Sequence, residues 1–213
     1  MKRAFLFDKY NTAYDWGLLL TAKDLTPPEP KTNYVQLDGR SGSLDLTEAL
    51  TGEVTYNDRT LTATFVSTDG SFADRVALLR DITAALHGRK VTIVDPDDPD
   101  HYLLGRIKVK ALQAPSYMEL SIEATCDPWR YAINETERRV DAPGDVVIRN
   151  DGSRTVTPVL TVIGSVSITD NGVTTELTEG SYKITDLRLT PGVNVIGVAG
   201  PGSVTFTYQE ADL

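Results

Sequence analysis

Cysteine is almost absent: Cys126 stands alone among 213 residues, so no disulfide framework can staple the chain and a packed core must hold it. Histidine is nearly as scarce, with only His87 and His101. Nucleophilic catalysis needs a base beside the nucleophile and a group that orients the base, so two histidines leave few arrangements open. Positive charge is in deficit as well. There are 21 Lys and Arg against 30 Asp and Glu, a net charge of −9, the wrong sign for a protein that gains affinity by neutralising phosphates. Specific nucleic-acid binding is therefore not expected. Long apolar runs are missing too: no stretch approaches the roughly 20 residues that span a bilayer. Ala4-Phe5-Leu6-Phe7 is too short for a signal-peptide core. Synthesis in the cytosol, with no export signal and no membrane anchor, is the expectation.

The length fits one large domain or two small ones, each with its own core. Both Trp, four of the five Phe and seven of the nine Tyr precede residue 140, which implies two differently built cores, 1–139 and 140–213. The join is marked by Asn134-Glu135-Thr136-Glu137-Arg138-Arg139, followed by Ala142-Pro143-Gly144. That pattern suits a short linker or a crossing strand, and a surface loop within one domain stays open as the plainer reading.

In the first part, residues 13–22 are bulky and apolar around Trp16 and read as a strand. Thr26-Pro27-Pro28-Glu29-Pro30-Lys31 must be a loop, because each proline fixes φ and removes a donor. Residues 33–37 are extended and lead into the turn Asp38-Gly39-Arg40-Ser41-Gly42-Ser43. Residues 59–67 alternate, with Leu61, Ala63 and Phe65 on one face and threonines on the other, and residues 118–124 do the same. One helix is predicted over about 72–87. Ser71 and Asp74 have capping-box spacing, Gly88 follows the end, and Phe72, Val76, Leu79, Ile82 and Leu86 form a stripe. Arg75, Arg80 and Asp81 are placed on its exposed face. Residues 91–109 read as a hairpin with a long acidic tip, Asp95 to His101. Its second run is the longer and carries Arg106, Lys108 and Lys110, so part of it is expected to protrude as an arm.

After residue 144 the pattern changes to short strands: 145–149, 159–163, 165–169, 176–177, 182–185, 193–198 and 204–208. Turn signals such as Asp170-Asn171-Gly172 and Pro191-Gly192 separate most of them, which suggests a sandwich with Val204, Phe206 and Tyr208 facing its core.

No catalytic, cofactor or metal site emerges. His87 suits helix capping and His101 a solvated turn. Gly39-Arg40-Ser41-Gly42 lacks the last glycine and the following helix of a nucleophile elbow. Asp95, Asp97, Asp98 and Asp100 lack the mid-loop glycine and distal glutamate of a calcium loop. Cys126 follows a buried-looking strand and reads as a small core residue. Gly197, Gly200 and Gly202 precede no helix and are turn glycines. The sequon at Asn134 has no meaning without secretion. What remains is an acidic, two-domain, non-enzymatic chain with a protruding hairpin, which points to assembly.

The order of several segments resembles the distal tail proteins of long-tailed phages, the Dit family. They are the run from Asn33-Tyr34-Val35 through Gly39-Arg40-Ser41-Gly42-Ser43-Leu44-Asp45-Leu46-Thr47, then Tyr56-Asn57-Asp58-Arg59, the helix, the hairpin, and Cys126-Asp127-Pro128-Trp129-Arg130-Tyr131. Leu189-Thr190-Pro191-Gly192-Val193-Asn194 and the final strand complete the likeness, which covers nearly the whole chain. The resemblance implies a mainly β, β-rich α+β protein: a barrel-like ring domain with one packed helix, then a galectin-like or lectin-like β-sandwich. It implies a homohexameric ring in the virion, at the tail tip or baseplate, assembled in the host cytoplasm. Its partners would be the tail tube protein, the tail-tip hub protein and the tape-measure protein, with DNA passing through the ring. Contact with receptor-binding proteins stays open, because only about 70 residues follow the linker. A ring needs two complementary patches per subunit, and the hairpin could supply one through Val91, Ile93, Tyr102, Leu104, Ile107 and Val109. Two other readings stay open: a tail tube subunit with an appended sandwich, and a carbohydrate-binding module.

Overall fold

Residues 3–213 are described by a computed structural model, and they divide into two units, the first ending at Arg130 and the second formed by Tyr131–Leu213. The protein is mainly β, with several antiparallel sheets and one helix. In the first unit the alternation read in the sequence sets the packing. Arg59–Ser67 and Met118–Cys126 pair antiparallel so that Leu61 lies opposite Ala124, Ala63 opposite Ile122 and Phe65 opposite Leu120. All six side chains are buried, and Phe5 and Phe7 close over them, with the Phe5 ring edge-on to Phe65 at 6.1 Å. Each large side chain so buried stabilises the fold by about 1.5–3 kcal/mol.

The sheet runs in the order Tyr10–Asn11, Leu6–Phe7, Lys90–Asp95, Asp98–Gln113, Met118–Cys126, Arg59–Ser67, Leu19–Leu25. Lys23, in the last strand, is ion-paired to Asp95 in the third at 2.6 Å. A flat sheet would hold those strands about 19 Å apart, four spacings of about 4.8 Å. The sheet therefore curls strongly, as a barrel-like domain requires.

The helix spans Phe72–Leu86, starts at a full capping box between Ser71 and Asp74, and ends before Gly88 at φ +77. Its stripe faces the core only in the second half: Ile82 and Leu86 are buried, whereas Phe72 is 50% and Val76 42% exposed. Arg75, expected outside, is buried and donates to the carbonyls of Gly70 and Pro115. The first turns lie over a backbone turn whose carbonyl needs a donor, so the cation turns inward and the apolar side chains are left at the rim.

Two further expectations for the first unit are corrected. Residues 12–15 form a turn, 16–18 are irregular and the strand begins at Leu19, because Asn11 Oδ1 accepts the Ala13 and Tyr14 N–H groups and competes with sheet pairing. Trp16 stacks on Tyr10 at 5.2 Å instead. The acidic stretch is no long tip either: Asp95 pairs with Asp98 across a tight turn, and the next strand starts at Asp98.

The second unit has two four-stranded sheets around one core. One orders Thr136–Asp141, Ser203–Tyr208, Val159–Ile163 and Gly180–Tyr182; the other Gly144–Asn150, Gly192–Ala199, Val166–Asp170 and Val173–Leu177. Val204, Phe206 and Tyr208 all point inward. Thr136–Asp141 pairs with Ser203–Tyr208 along its whole length, from Thr136 opposite Tyr208 to Asp141 opposite Ser203. That polar stretch is thus a strand of the sandwich itself. The units divide at Arg130/Tyr131, nine residues before the join placed at 139/140, because this strand belongs to the sandwich. Residues 183–185 are not strand: Leu187 N–H donates to Ile184 O at 3.2 Å and turns the chain there.

Candidate functional site

Three of the six residues expected at an interface are committed to the first unit's own core: Val91, Ile93 and Ile107 are at most 3% exposed. Tyr102, Leu104 and Val109 are half-buried. The apolar side chains of the hairpin are therefore largely used within their own unit, while Arg106 and Lys108 are exposed.

Asp98–Gln113 is longer than its partner Lys90–Asp95, whose last pair is Lys90 with Arg106. Beyond it, Ile107 exchanges backbone hydrogen bonds with Gly88 and Arg89, and Val109 N–H donates to His87 Nδ1 at 3.1 Å. Antiparallel alternation then aims the N–H and C=O groups of Ala111 and Gln113 in the same direction, where no further strand pairs with them among the described residues. The excess length is not an isolated arm, because the other edge pairs with Met118–Cys126 down to Gln113 opposite Met118. Leu112, 59% exposed, shares a cross-strand row with Glu119, Val66 and Leu19, itself 58% exposed. Phe72 and Val76 are a second exposed apolar pair, on the helix.

The carboxylates of the tight turn are occupied. Lys23 Nζ contacts both Asp95 oxygens at 2.7 and 2.6 Å and Asp97 at 2.5 Å, and Asp97 also binds Arg3. Asp98 holds His101 at 2.7 Å and Arg130 at 3.2 Å. Burial works against the Lys23 charge, yet the hydrogen bonds from Asp95 and Asp97 outweigh it and hold its pKa above the usual lysine value. The hydrogen bond from Lys23 in turn holds Asp97 below the usual carboxylate range. Lys23, Asp95, Asp97, Asp98, His101 and Arg130 line a cleft of ≈ 250 Å³, so its wall is made of groups already paired with one another.

Cys126 is fully buried opposite Gly105, where an added Cβ would stand 2.6 Å from the cysteine Sγ. Burial pushes the thiol up to about 12. Native protein at pH 8 is therefore expected to leave this thiol unmodified by a thiol-disulfide reagent, with one equivalent reacting on unfolding. Rapid modification of the native chain would show that the strand opens. Tyr182, the aromatic residue of the sandwich outside the strand of Phe206 and Tyr208, is half-buried against the core, with its hydroxyl 3.2 Å from Thr178 Oγ1.

A curled antiparallel sheet with one packed helix, followed by a two-sheet sandwich, is the architecture expected from the Dit resemblance, and comparison with solved structures agrees. The crystal structure of the Dit protein of phage SPP1, described as a paradigm of the hub adsorption apparatus in phages infecting Gram-positive bacteria, matches with a TM-score of 0.75. The match covers 99% of both chains at 15% identity, so this chain has a Dit-like fold throughout. No protein-family model and no curated protein sequence matches the chain.

Proposed function

We propose that this chain is a phage tail structural protein, six copies of which form a ring joining the tail tube to the tail-tip hub. The observation that carries this reading is the likeness to SPP1 Dit over 99% of both chains, with neither unit left over. Head-to-tail contacts close a ring when each subunit presents two different complementary patches. The free backbone edge at Ala111 and Gln113 is suited to strand addition, and the exposed Phe72 and Val76 to apolar packing. The tail tube, hub and tape-measure proteins are the expected neighbours, and receptor-binding proteins a further one. Six copies at −9 each surround the channel, and acidic groups on its wall would keep passing DNA from adhering. The role needs no catalysis and no cofactor. No helix among the described residues is long and apolar enough to cross a membrane.

Negative-stain electron microscopy of the purified chain tests the reading. Single six-fold rings are the expected result. Stacking into continuous tubes would assign the chain to the tail tube, and isolated monomers with hits on a glycan array would assign it to carbohydrate binding.

A further inference from the structure

The sandwich contains a pocket of ≈ 270 Å³ that the ring reading does not use. Two turns, at 170–173 and 184–187, make it. On one side Asn171 at φ +49 and Gly172 at φ +80 form the tight hairpin turn that brings Asp170 opposite Val173. On the other, the chain turns between Ile184 and Leu187. Ile168 and Leu187 are buried and give the pocket an aliphatic floor, extended by Ile184. Asp170 and Asp186 supply carboxylates, one from each turn, and no lysine or arginine lines the pocket. Lys183 and Arg188 flank the second turn in sequence but are not part of the lining. Neither carboxylate has a side-chain hydrogen bond or ion pair among the described residues.

Size and exposure narrow the occupant. Small-molecule sites usually measure about 300–1,000 Å³ and enclose most of their ligand. This pocket lies below that range, and Val173 at its edge is 67% exposed, so it can hold one end of a group whose remainder stays outside. An apolar stem with a cationic head fits such a floor and such a pair of charges, and long basic side chains have that build. Arginine suits two carboxylates best, because its planar fork donates along more than one direction. We propose that the pocket receives an arginine side chain presented by a partner polypeptide, its methylenes on Ile168, Ile184 and Leu187 and its guanidinium paired with Asp170 and Asp186. The pocket's chemistry is independent of whether the first unit forms a ring.

Amide NMR titration of the full-length chain with a blocked Gly-Arg-Gly peptide, and with its neutral citrulline counterpart, tests this. The arginine peptide is expected to give saturable shifts at Asn171, Gly172, Val173 and Asp186, with the citrulline peptide at least about tenfold weaker. The double variant Asp170→Asn, Asp186→Asn is expected to lose the same factor. Absence of local shifts, equal binding of the citrulline peptide, or unchanged binding by the double variant would overturn the proposal. So would shifts at these amides with galactose but not with the arginine peptide.

Discussion

Replacing Phe206 by alanine is expected to cost the second unit about 3–5 kcal/mol, the range for removing a buried aromatic ring. Phe206 is fully buried in a central strand, opposite Leu160 on one side and Arg138 on the other. Its ring is packed in the core of the sandwich, and the cavity left by its removal would collapse only in part. The two cores share no residue: one is built on Phe5, Phe7 and Phe65, the other on Phe206 and Tyr208 with aliphatic side chains. Hydrogen exchange should therefore speed up across the sandwich strands, while Arg59–Ser67 and Met118–Cys126 keep their protection. Equal loss of protection in both units would mean that they unfold together, against the two-core description.

A second large effect is expected from the double substitution Phe72→Asp, Val76→Glu, which should dissociate the proposed ring while leaving the subunit folded. Both side chains are about half exposed, so little core packing is lost. An aspartate in the first turn suits the helix dipole, and a glutamate at position 76 stands four residues before Arg80, a favourable spacing. At an interface, however, each change would place a charge where an apolar side chain packed. At about 2 kcal/mol per contact residue, the pair weakens association roughly a thousandfold. Sedimentation and circular dichroism separate the outcomes: monomers with native helix signal support the surface assignment, and intact rings would exclude this helix face from the contact.

Local pattern was enough where neighbours along the chain determine the structure. Period-two alternation located Arg59–Ser67 and Met118–Cys126, and the Ser71–Asp74 pair with Gly88 located the helix to within a residue. It failed where a distant partner decides. Nothing near Arg75 in sequence shows that the Pro115 carbonyl, 40 residues on, will draw it inward. Lys23 lies 72 residues from Asp95, and without that partner the acidic stretch reads as a solvated tip. The free edge at Ala111 and Gln113 is likewise set by register, because it exists only where a long strand outruns a shorter neighbour. The greater length of the second hairpin run was the available signal. The arginine pocket had none, since its walls come from turns at 170–173 and 184–187 that the fold alone brings together.

Self-association into a closed ring is tested most directly by the solution mass of the purified chain. Light scattering across a concentration series should give six times the mass of one chain, with a plateau and no growth beyond it. A mass that stays at one chain up to the highest concentration, with or without the tail tube and hub proteins, would contradict the account.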